Sequence, residues 1–313
     1  MKKLLNSLES EFENNKLEII INDNASSDGT EEMVREYIKK TDCIKYRKNR
    51  KNYGFDYNFN QAILESTGKF IWFLGSDDIV KIDAVKKIID NLSENINIYI
   101  LEGDMNIGNK TFLRNGLNAV NLQEYIKIEN GIYEYIDDIK SDISYLFAFI
   151  SSIVVKREDY VEIKIPEELK NSAYDHMYIL LKLVSKSANI KYLKESYYEV
   201  GINENCWNNI RGKHFLLDIK SLHKFIENIY QDNKDEIIIR KSIGKLFQRN
   251  CSKISMIDNI FYAKENKEFE IFENAINYFY MNNLKYRFYK NILVNKMTIY
   301  ILNLARKMKN RDK

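Results

Sequence analysis

Two adjacent carboxylates directly follow a short apolar segment, and they are the residues of this sequence best placed to do chemistry. The segment, Phe70–Leu74, contains aromatic and β-branched residues and lies between two glycines, which predicts a strand buried on both faces. Ser76, Asp77 and Asp78 come next. Carboxylate oxygens on a turn suit Mg²⁺ or Mn²⁺, and such a cation suits a diphosphate. The residues alone leave a second interpretation open, in which both aspartates only form the turn and cap the following helix.

A second acidic turn follows another apolar segment. Leu17–Asn22 predicts a strand with three consecutive isoleucines at its centre, and Asp23 and Asn24 begin the turn behind it. If this strand and Phe70–Leu74 are neighbours, Asp23 and Asp77 face one crevice at the carboxyl ends of the strands, where open α/β sheets bind their ligands. A turn-capping role for Asp23 is the structural alternative.

The elements around these turns alternate between helices and strands. This alternation, from the start of the chain to about Leu101, predicts an α/β fold with a mostly parallel, doubly wound sheet. The predicted strands are Leu17–Asn22, Ile44–Tyr46, Phe70–Leu74, Ile96–Leu101, Tyr145–Val155, Ile190–Leu193 and Tyr197–Val200. A strongly periodic helix begins at Asp175, whose own side chain could cap it. The segment Glu102–Asp142 has no pattern that predicts an element.

The composition restricts the classes of function. The chain has 313 residues, of which 45% are hydrophobic and 30% charged, and this predicts a globular protein with a substantial core. A net charge of only +3 argues against nucleic acid as a partner. The three cysteines are far apart, as in a reduced cytoplasmic protein, and the three histidines lack the spacing of a zinc site. The longest uncharged stretch, Ile143–Val155, is shorter than the ~20 residues that a spanning helix needs.

The last part of the chain predicts helices only. We therefore expect an α/β domain at residues 1–205 and a C-terminal helical region at residues 206–313. The final segment, Asn291–Lys313, has apolar residues at helical spacing. Its basic end consists of Arg306, Lys307, Lys309, Arg311 and Lys313. Such a helix can lie on an anionic membrane surface, or it can pack on its own domain with a solvated basic end.

Three stretches, in this order, resemble the family 2 glycosyltransferases of the GT-A fold. They are Glu18–Thr30 (EIIINDNASSDGT), Asn49–Ala62 (NRKNYGFDYNFNQA) and Lys69–Ile79 (KFIWFLGSDDI). The resemblance covers the chain from about Leu4 to Val200, with a gap at Glu102–Asp142. It implies a Rossmann-like, mostly parallel sheet flanked by helices, with a C-terminal helical appendage.

The resemblance also implies a donor site for a nucleotide-diphospho-sugar. Asp23 falls on the family's carboxylate that hydrogen-bonds the nucleotide base. Asp77 falls on the last aspartate of the DXD motif, which ligates the Mn²⁺ or Mg²⁺ ion bridging the donor's diphosphate. Asn24, Ser76 and Asp78 are assigned to the binding of the same donor.

A catalytic base is implied at the start of a later helix. Asp175, in Ala173–Tyr178 (AYDHMY), falls where the family has an acidic residue that opens a helix and accepts the acceptor's proton. Tyr174 replaces the first acid of the family's Glu-Asp pair. Attack by the acceptor hydroxyl without a protein nucleophile inverts the anomeric centre.

Two features depart from the family pattern. Gly75 stands where the first aspartate of the DXD motif is expected, as in similar O-antigen dideoxyhexose transferases of the abequosyltransferase group. The family's first strand, which ends in a Pro-Thr-Tyr-Asn-like loop, has no counterpart here, because Leu4–Phe12 already has helical spacing. We therefore expect a sheet that lacks a central member and leaves its neighbours' backbone groups unpaired.

The expected function follows from this resemblance. It is an inverting, metal-dependent transfer of a sugar to a glycan or lipid-linked acceptor during synthesis of a bacterial surface polysaccharide, such as lipopolysaccharide O-antigen or capsule. The protein would be cytoplasmic, with peripheral contact to the inner membrane. The alternative is a non-catalytic or degenerate GT-A-like protein that acts as a scaffold in glycan assembly. The sugar, the nucleotide base and the oligomeric state stay open.

Overall fold

The computed structural model of the protein has a mixed α/β architecture. It describes residues 1–107, 110–113, 125–126, 147–201, 211–231, 237–244 and 263–280, apart from positions 14–15, 187, 238, 242 and 264–266. The first half contains α1 (Lys2–Ser7), β1 (Ile19–Asp23), α2 (Thr30–Ile38), β2 (Ile44–Lys48), α3 (Phe55–Glu65), β3 (Phe70–Trp72), β4 (Ile79–Val80) and α4 (Ala84–Asn91). The α/β class and the order of its first elements are therefore as predicted.

The second half adds strands to one sheet and helices to its outside. Its elements are β5 (Ile98–Ile107), β6 (Lys110–Leu113), β7 (Tyr125–Ile126), β8 (Ile153–Lys156), α5 (Arg157–Glu162), α6 (Asp175–Ser185), β9 (Ile190–Glu199), α7 (Arg211–Tyr230) and α8 (Phe269–Tyr280). The Glu102–Asp142 segment, which had no predictable pattern, supplies β6, β7 and most of β5 in its described parts.

The prediction of a mostly parallel sheet is wrong for the described strands. The larger sheet has the order β3-β8-β5-β9-β4, and β8 is antiparallel to both of its neighbours. Strand β4 is antiparallel to β9. Among the described strands, the parallel pairs are β5 with β9 and β1 with β2. An alternation of helices and strands predicts that two strands are parallel only where a helix connects them in a β-α-β unit. Strand β4 instead follows β3 through a turn, and β8 follows a short 3₁₀ helix at Ile150–Ser152.

Two strand predictions also had wrong boundaries. In the described part of the predicted strand Tyr145–Val155, which starts at Phe147, the strand begins at Ile153, because Ser151 and Ser152 lie in the 3₁₀ helix before it. The two strands expected at Ile190–Leu193 and Tyr197–Val200 are one strand, β9. Strand β9 stays paired with β5 across a bulge, so the exposed residues between its apolar ends do not interrupt it.

The sheet is divided where the expected central strand is missing. Strands β1 and β2 form a separate two-stranded sheet, and among the described residues no strand pairs with the free sides of β1 and β3. A cavity of about 1030 Å³ lies there, lined by both strands and by α1, α3 and α4. Its walls are mostly apolar and include Ile19, Ile21, Phe70 and Trp72. This arrangement matches the expectation of a sheet without a central member.

The C-terminal helices share the core of the α/β part. One apolar cluster joins Phe73 and Ile98 of the sheet region with Leu180 of α6, Phe225 of α7 and Phe272 of α8. Among the described residues after position 210, all except Gln231, Lys267 and Glu268 are helical, and none lies in a strand, as predicted. The expected domain boundary at residues 205 and 206 and the basic segment Asn291–Lys313 lie outside the described residues. None of the helices in the described part of the chain has the length and apolarity needed to span a membrane.

Candidate active site

The turn after β3 is held by Asp78, whose carboxylate points back into the protein. Asp78 Oδ1 accepts a hydrogen bond from the backbone N–H of Gly201 at 2.7 Å, and its Oδ2 accepts one from the hydroxyl of Ser151. The same hydroxyl oxygen accepts the backbone N–H of Gly75 at 2.8 Å, so Ser151 links the two ends of the turn. In this structure Asp78 is buried and binds the protein itself, and a direct contact with a donor stays a prediction.

Sterics explain the glycine at position 75. A Cβ atom placed there would lie 2.7 Å from Asp78 Oδ2 and 3.3 Å from Asp77 Oδ1. These separations are shorter than or at the limit of ordinary van der Waals contact, so a side chain at position 75 and the inward carboxylate of Asp78 exclude one another. Gly201 is equally constrained, because its Cβ would meet the backbone oxygen of Asp77 at 2.2 Å.

Ser76 and Asp77 are the exposed members of this turn. The carboxylate of Asp77 makes no hydrogen bond to another residue in the described part of the chain, so it is available to a ligand. That part contains no group of three or more His, Cys, Asp or Glu side chains that could hold a metal ion by themselves. Mg²⁺ is commonly bound by one or two carboxylates together with substrate phosphates. Asp77 therefore fits a metal whose remaining ligands come from a bound diphosphate and water.

Asp23 lies at the end of β1, as predicted, and its carboxylate is oriented by two donors. Oδ1 accepts the backbone N–H of Ser26 at 2.8 Å, and Oδ2 accepts the hydroxyl of Tyr46 at 2.7 Å. Burial raises the pKa of Asp23, but the hydrogen bonds from Ser26 and Tyr46 and the charge of Lys48 outweigh burial and leave the pKa below its ordinary value. The group is thus an ionised acceptor with lone pairs to spare for a ligand N–H.

Asn24 fixes the turn that leads into α3. Its Nδ2 donates to Asn52 Oδ1 at 2.7 Å and to the Gly54 carbonyl at 3.1 Å, while its Oδ1 accepts the backbone N–H of Tyr53 at 2.9 Å. Gly54 has φ +90°, which favours glycine, and α3 begins at the next residue, Phe55. Contact of Asn24 with a donor stays a prediction.

Helix α3 is tied back to β1 by a second asparagine. Asn58 Nδ2 donates to the Asn22 carbonyl at 2.8 Å, and Asn58 Oδ1 accepts from Asn22 Nδ2 and Asn49 Nδ2, both at 3.0 Å. These bonds satisfy polar groups of β1 that the split sheet leaves without a strand partner.

Asp175 begins α6 and is buried, with 3% of its surface exposed. Its Oδ1 accepts from the backbone N–H and the hydroxyl of Ser172, at 3.3 and 3.2 Å. A second buried carboxyl, that of Asp56 in α3, faces the same loop and accepts the backbone N–H groups of Ala173 and Asp175 at 2.6 and 3.3 Å. The start of α6 therefore brings two carboxyls together.

The structure brings some of the predicted residues together and leaves others apart. Asn22 and Asn58 line the cavity from the β1 side, and Ser76, Asp77 and Asp78 line it from the β3 side. Asp23, Asn24 and Asp175 are not among the lining residues in the described part of the chain, and Asp175 connects to the lining residues through α3. The two strand ends thus flank one cavity, and the implied base lies on the far side of α3.

Sequence reasoning missed three residues that shape the site. Ser151, Tyr46 and Asp56 each bind one of the predicted carboxylates or its backbone. The only available signal was the pair of serines that interrupts the apolar run before β8. Tyr46 and Asp56 stand in ordinary element sequences, and their partners are distant in the chain.

Comparison with known proteins adds independent information. The family model described as glycosyl transferase family 2 matches residues 1–161. Abequosyltransferase RfbV of Salmonella typhimurium is 24% identical over 246 residues, which cover 74% of this chain and 72% of that protein. The GalNAc(5)-diNAcBac-PP-undecaprenol beta-1,3-glucosyltransferase of Campylobacter jejuni is 36% identical over 80 residues, or 25% of this chain and 26% of that protein.

Solved structures agree on the fold. The crystal structure of residues 1–349 of S. aureus TarS has a TM-score of 0.56 and 15% identity, and the match covers 90% of this chain and 87% of that one. The same TarS fragment in complex with UDP-GlcNAc has a TM-score of 0.56 and 15% identity, with 88% and 86% of the two chains covered. At this identity the likeness concerns the fold alone.

Proposed function

The chain belongs to glycosyl transferase family 2, and from that premise we propose that it transfers a sugar from a nucleotide-diphospho-sugar to a hydroxyl group of a glycan or lipid-linked acceptor. The related transferases named for abequose and for an undecaprenol-linked glycan support a bacterial surface polysaccharide as the product. The observation that carries the proposal is the exposed carboxylate of Asp77 in the turn after β3, which makes no hydrogen bond to another described residue, together with the oriented, ionised carboxylate of Asp23 at the end of β1.

The donor would bind across the two strand ends. The oriented, ionised carboxylate of Asp23 accepts an N–H group of the nucleotide base. Asp77 would hold Mn²⁺ or Mg²⁺ against the diphosphate, and the bound ion would supply positive charge that offsets the charge building on the leaving group. Support for a nucleotide-sugar comes from the TarS complex with UDP-GlcNAc, as a property of that protein.

Asp175 is the proposed base. It accepts the proton of the acceptor hydroxyl while the acceptor oxygen attacks the anomeric carbon from the face opposite the diphosphate. The bond to the diphosphate breaks with its electron pair going to the phosphate oxygen, so the anomeric centre inverts. The Ser172 hydroxyl and N–H keep the carboxylate of Asp175 oriented before the reaction.

The experiment that tests the donor site is isothermal titration with UDP, GDP, CDP and dTDP, each with and without Mn²⁺. We expect one nucleotide to bind in a metal-dependent way. Nucleotide binding to the Asp77→Ala variant should no longer depend on Mn²⁺. The control variant Asp90→Ala, which removes an exposed carboxylate of α4, should bind the nucleotide as the unaltered chain does.

A second candidate function is a non-catalytic scaffold for glycan assembly. The observation that favours it is the gap between β1 and β3, because a divided sheet positions the two strand ends less firmly than a continuous one. Absence of binding to all four nucleotides would favour the scaffold and overturn the donor site.

A cytoplasmic location at the face of the inner membrane is part of the proposal. Its support is the basic end of Asn291–Lys313, a segment outside the described residues, together with the undecaprenol-linked acceptor in the name of one relative.

A further inference from the structure

Asp56 caps a helix to which it does not belong. It stands in the first turn of α3, and only 4% of its surface is exposed. Its two oxygens accept the backbone N–H groups of Ala173 and Asp175, at 2.6 and 3.3 Å. Tyr174, the residue that precedes α6, supplies no side-chain cap of its own. The first N–H groups of a helix need an acceptor, and here that acceptor comes from 119 positions away.

The loop that Asp56 holds is conformationally strained. Asn171 and Ala173 have φ of +58° and +68°, in the left-handed region that β-carbon atoms disfavour. Such residues persist only where surrounding contacts fix them, and this strain is commonly found at functional sites. The bond from Ala173 N–H to Asp56 is therefore a fixing contact for the loop that carries Asp175.

The two carboxyl groups also interact directly. The carboxyl groups of Asp56 and Asp175 lie near enough for a hydrogen bond between the two side chains. Two carboxyl groups can form such a bond only when one of them carries a proton. Burial, followed by the negative charge of Asp175, raises the pKa of Asp56 to about 6.

The other titratable groups that face the pair are neutral. Tyr160 of α5 is fully buried, and burial together with the two aspartates raises its pKa well above the ordinary value. His176 follows Asp175 and contacts Phe55, and burial lowers its pKa to about 4. Neither carboxyl forms an ion pair with a Lys or Arg side chain of the described residues. A shared proton is the means by which the pair avoids two adjacent buried charges.

We propose that Asp56 is the positioning residue of Asp175: it fixes the start of α6 through the backbone, and its carboxyl donates a shared proton to the Asp175 carboxylate, so that loss of this proton frees an Asp175 oxygen for the proton of the acceptor. The inference rests on the proposed role of Asp175 as the base. During transfer the acceptor O–H bond breaks, and its proton passes to Asp175 and then to solvent.

An NMR titration tests the shared proton without an activity assay. Aspartate labelled with ¹³C at its side-chain carboxyl is followed by NMR as a function of pH in the full chain. One resonance should titrate with a midpoint near 6, be missing in Asp56→Asn, and shift to an ordinary acidic midpoint in Asp175→Asn. An unchanged midpoint in Asp175→Asn would mean that burial alone acts, and it would overturn the shared proton. If Asp175→Asn does not fold, the unaltered chain is compared with Asp56→Asn. Absence of a resonance with a midpoint near 6 in the unaltered chain would then overturn the shared proton.

The positioning role is tested with nucleotide-sugars of the nucleoside diphosphate that titration identifies, such as UDP-GlcNAc if UDP binds, and with water as the acceptor. Release of free nucleoside diphosphate is followed between pH 5 and 8. The unaltered chain should hydrolyse the donor faster as the pH rises through about 6. Asp56→Asn keeps an acceptor oxygen for the loop but cannot ionise, so its profile should be flat and its rate about 10- to 100-fold lower, with nucleotide affinity retained.

Asp90→Asn is the control variant, and two outcomes would contradict different parts of the proposal. Asp90→Asn should leave both the NMR titration and the pH profile unchanged. An Asp56→Asn variant that keeps the rising limb near pH 6 would overturn the positioning role. Absence of hydrolysis in every variant, with the NMR midpoint near 6 present, would reject the proposed base and leave the carboxyl pair established.

Discussion

The carboxylates of the site differ in what their oxygens contact. Asp78 is bound by a hydroxyl and a backbone N–H, Asp23 by a backbone N–H and a phenol, and Asp175 by a serine. Asp77 alone among these four projects into solvent. Neighbouring acidic residues in one motif, Asp77 and Asp78, therefore have opposite roles, one open to a ligand and the other holding the turn.

This division of roles predicts the effect of adding a side chain at Gly75. Gly75→Ala places a Cβ atom 2.7 Å from Asp78 Oδ2, so the turn must shift, and we expect a loss of about 1–3 kcal/mol in the free energy of unfolding. Denaturant unfolding followed by circular dichroism measures the loss. Asp78→Ala should be destabilising by itself, but the double variant should be more stable than the sum of the single changes predicts. Strict additivity would show that the two positions do not compete for space.

The raised pKa of Asp56 predicts a pH dependence of stability. Because the folded state holds this proton more tightly than the unfolded chain, the contribution is fully present below pH 4 and is lost as the pH rises through about 6. After allowance for solvent screening the loss is about 2 kcal/mol. The difference in unfolding free energy between the unaltered chain and Asp56→Asn, measured at pH 4.5 and 7.5, isolates this group. A difference that does not vary with pH would contradict the prediction.

Helix α3 is the element that joins the parts of the site. Near its start, Asp56 holds the loop before α6, and two residues later Asn58 holds β1 and Asn49. The Asn24 side chain fixes the turn from which the helix starts. The nucleotide side and the base side of the proposed site are thus positioned by opposite faces of one helix.

This linkage predicts a cost for removing Asn58. Asn58→Ala leaves the Asn22 carbonyl without its side-chain donor and removes one of the two acceptors of Asn49 Nδ2, the other being Asn24 Oδ1, and we expect a destabilisation of about 1–3 kcal/mol. Thermal unfolding measures it. Asn60→Ala is the matched control, since Asn60 lies in the same helix and makes no side-chain hydrogen bond to another described residue. Equal effects of the two changes would show that the polar contacts to β1 are not important for stability.

The sequence predicted elements best where a single periodicity was strong. The start of β3 at Phe70 and the start of α6 at Asp175 were located correctly, and the end of β1 was located to within one residue, because apolar runs and polar turns meet there, whereas β3 ends two residues before the predicted Leu74. Strand direction was mispredicted because β8 enters the sheet without a β-α-β unit. Asp56 was missed because an acidic residue in the first turn of a helix is common and its pairing with Asp175 depends on tertiary structure.

At the scale of the whole molecule, one apolar core connects the sheet with the C-terminal helices. Tyr178 of α6 packs on Phe225 of α7 with ring centroids 5.3 Å apart, and its hydroxyl donates to Asn228 Oδ1 at 2.8 Å. The helix that begins with Asp175 is therefore fixed at one end by α3 and along its length by α7. No sequence pattern indicated which face of the C-terminal helices would meet α6.

The basic C-terminal sequence predicts membrane affinity that depends on charge. Each Lys or Arg near an anionic surface contributes up to about 1 kcal/mol, and the sequence after Leu304 contains five of them. The full chain should co-sediment with vesicles containing phosphatidylserine and not with pure phosphatidylcholine. Replacement of Arg306, Lys307, Lys309, Arg311 and Lys313 by Gln should remove the binding. Equal binding to both kinds of vesicle would refute an electrostatic contact.

The cavity between β1 and β3 has a mechanical consequence. Unfolding eliminates internal void volume, and hydrostatic pressure favours whichever state occupies less volume. The mostly apolar space of about 1030 Å³ between the two strands is only partly enclosed, and we expect the part that stays dry to lower the pressure at which the chain unfolds. Any molecule that fills this space should shift the transition to higher pressure, so compression with optical detection would report occupancy of the cavity without a label.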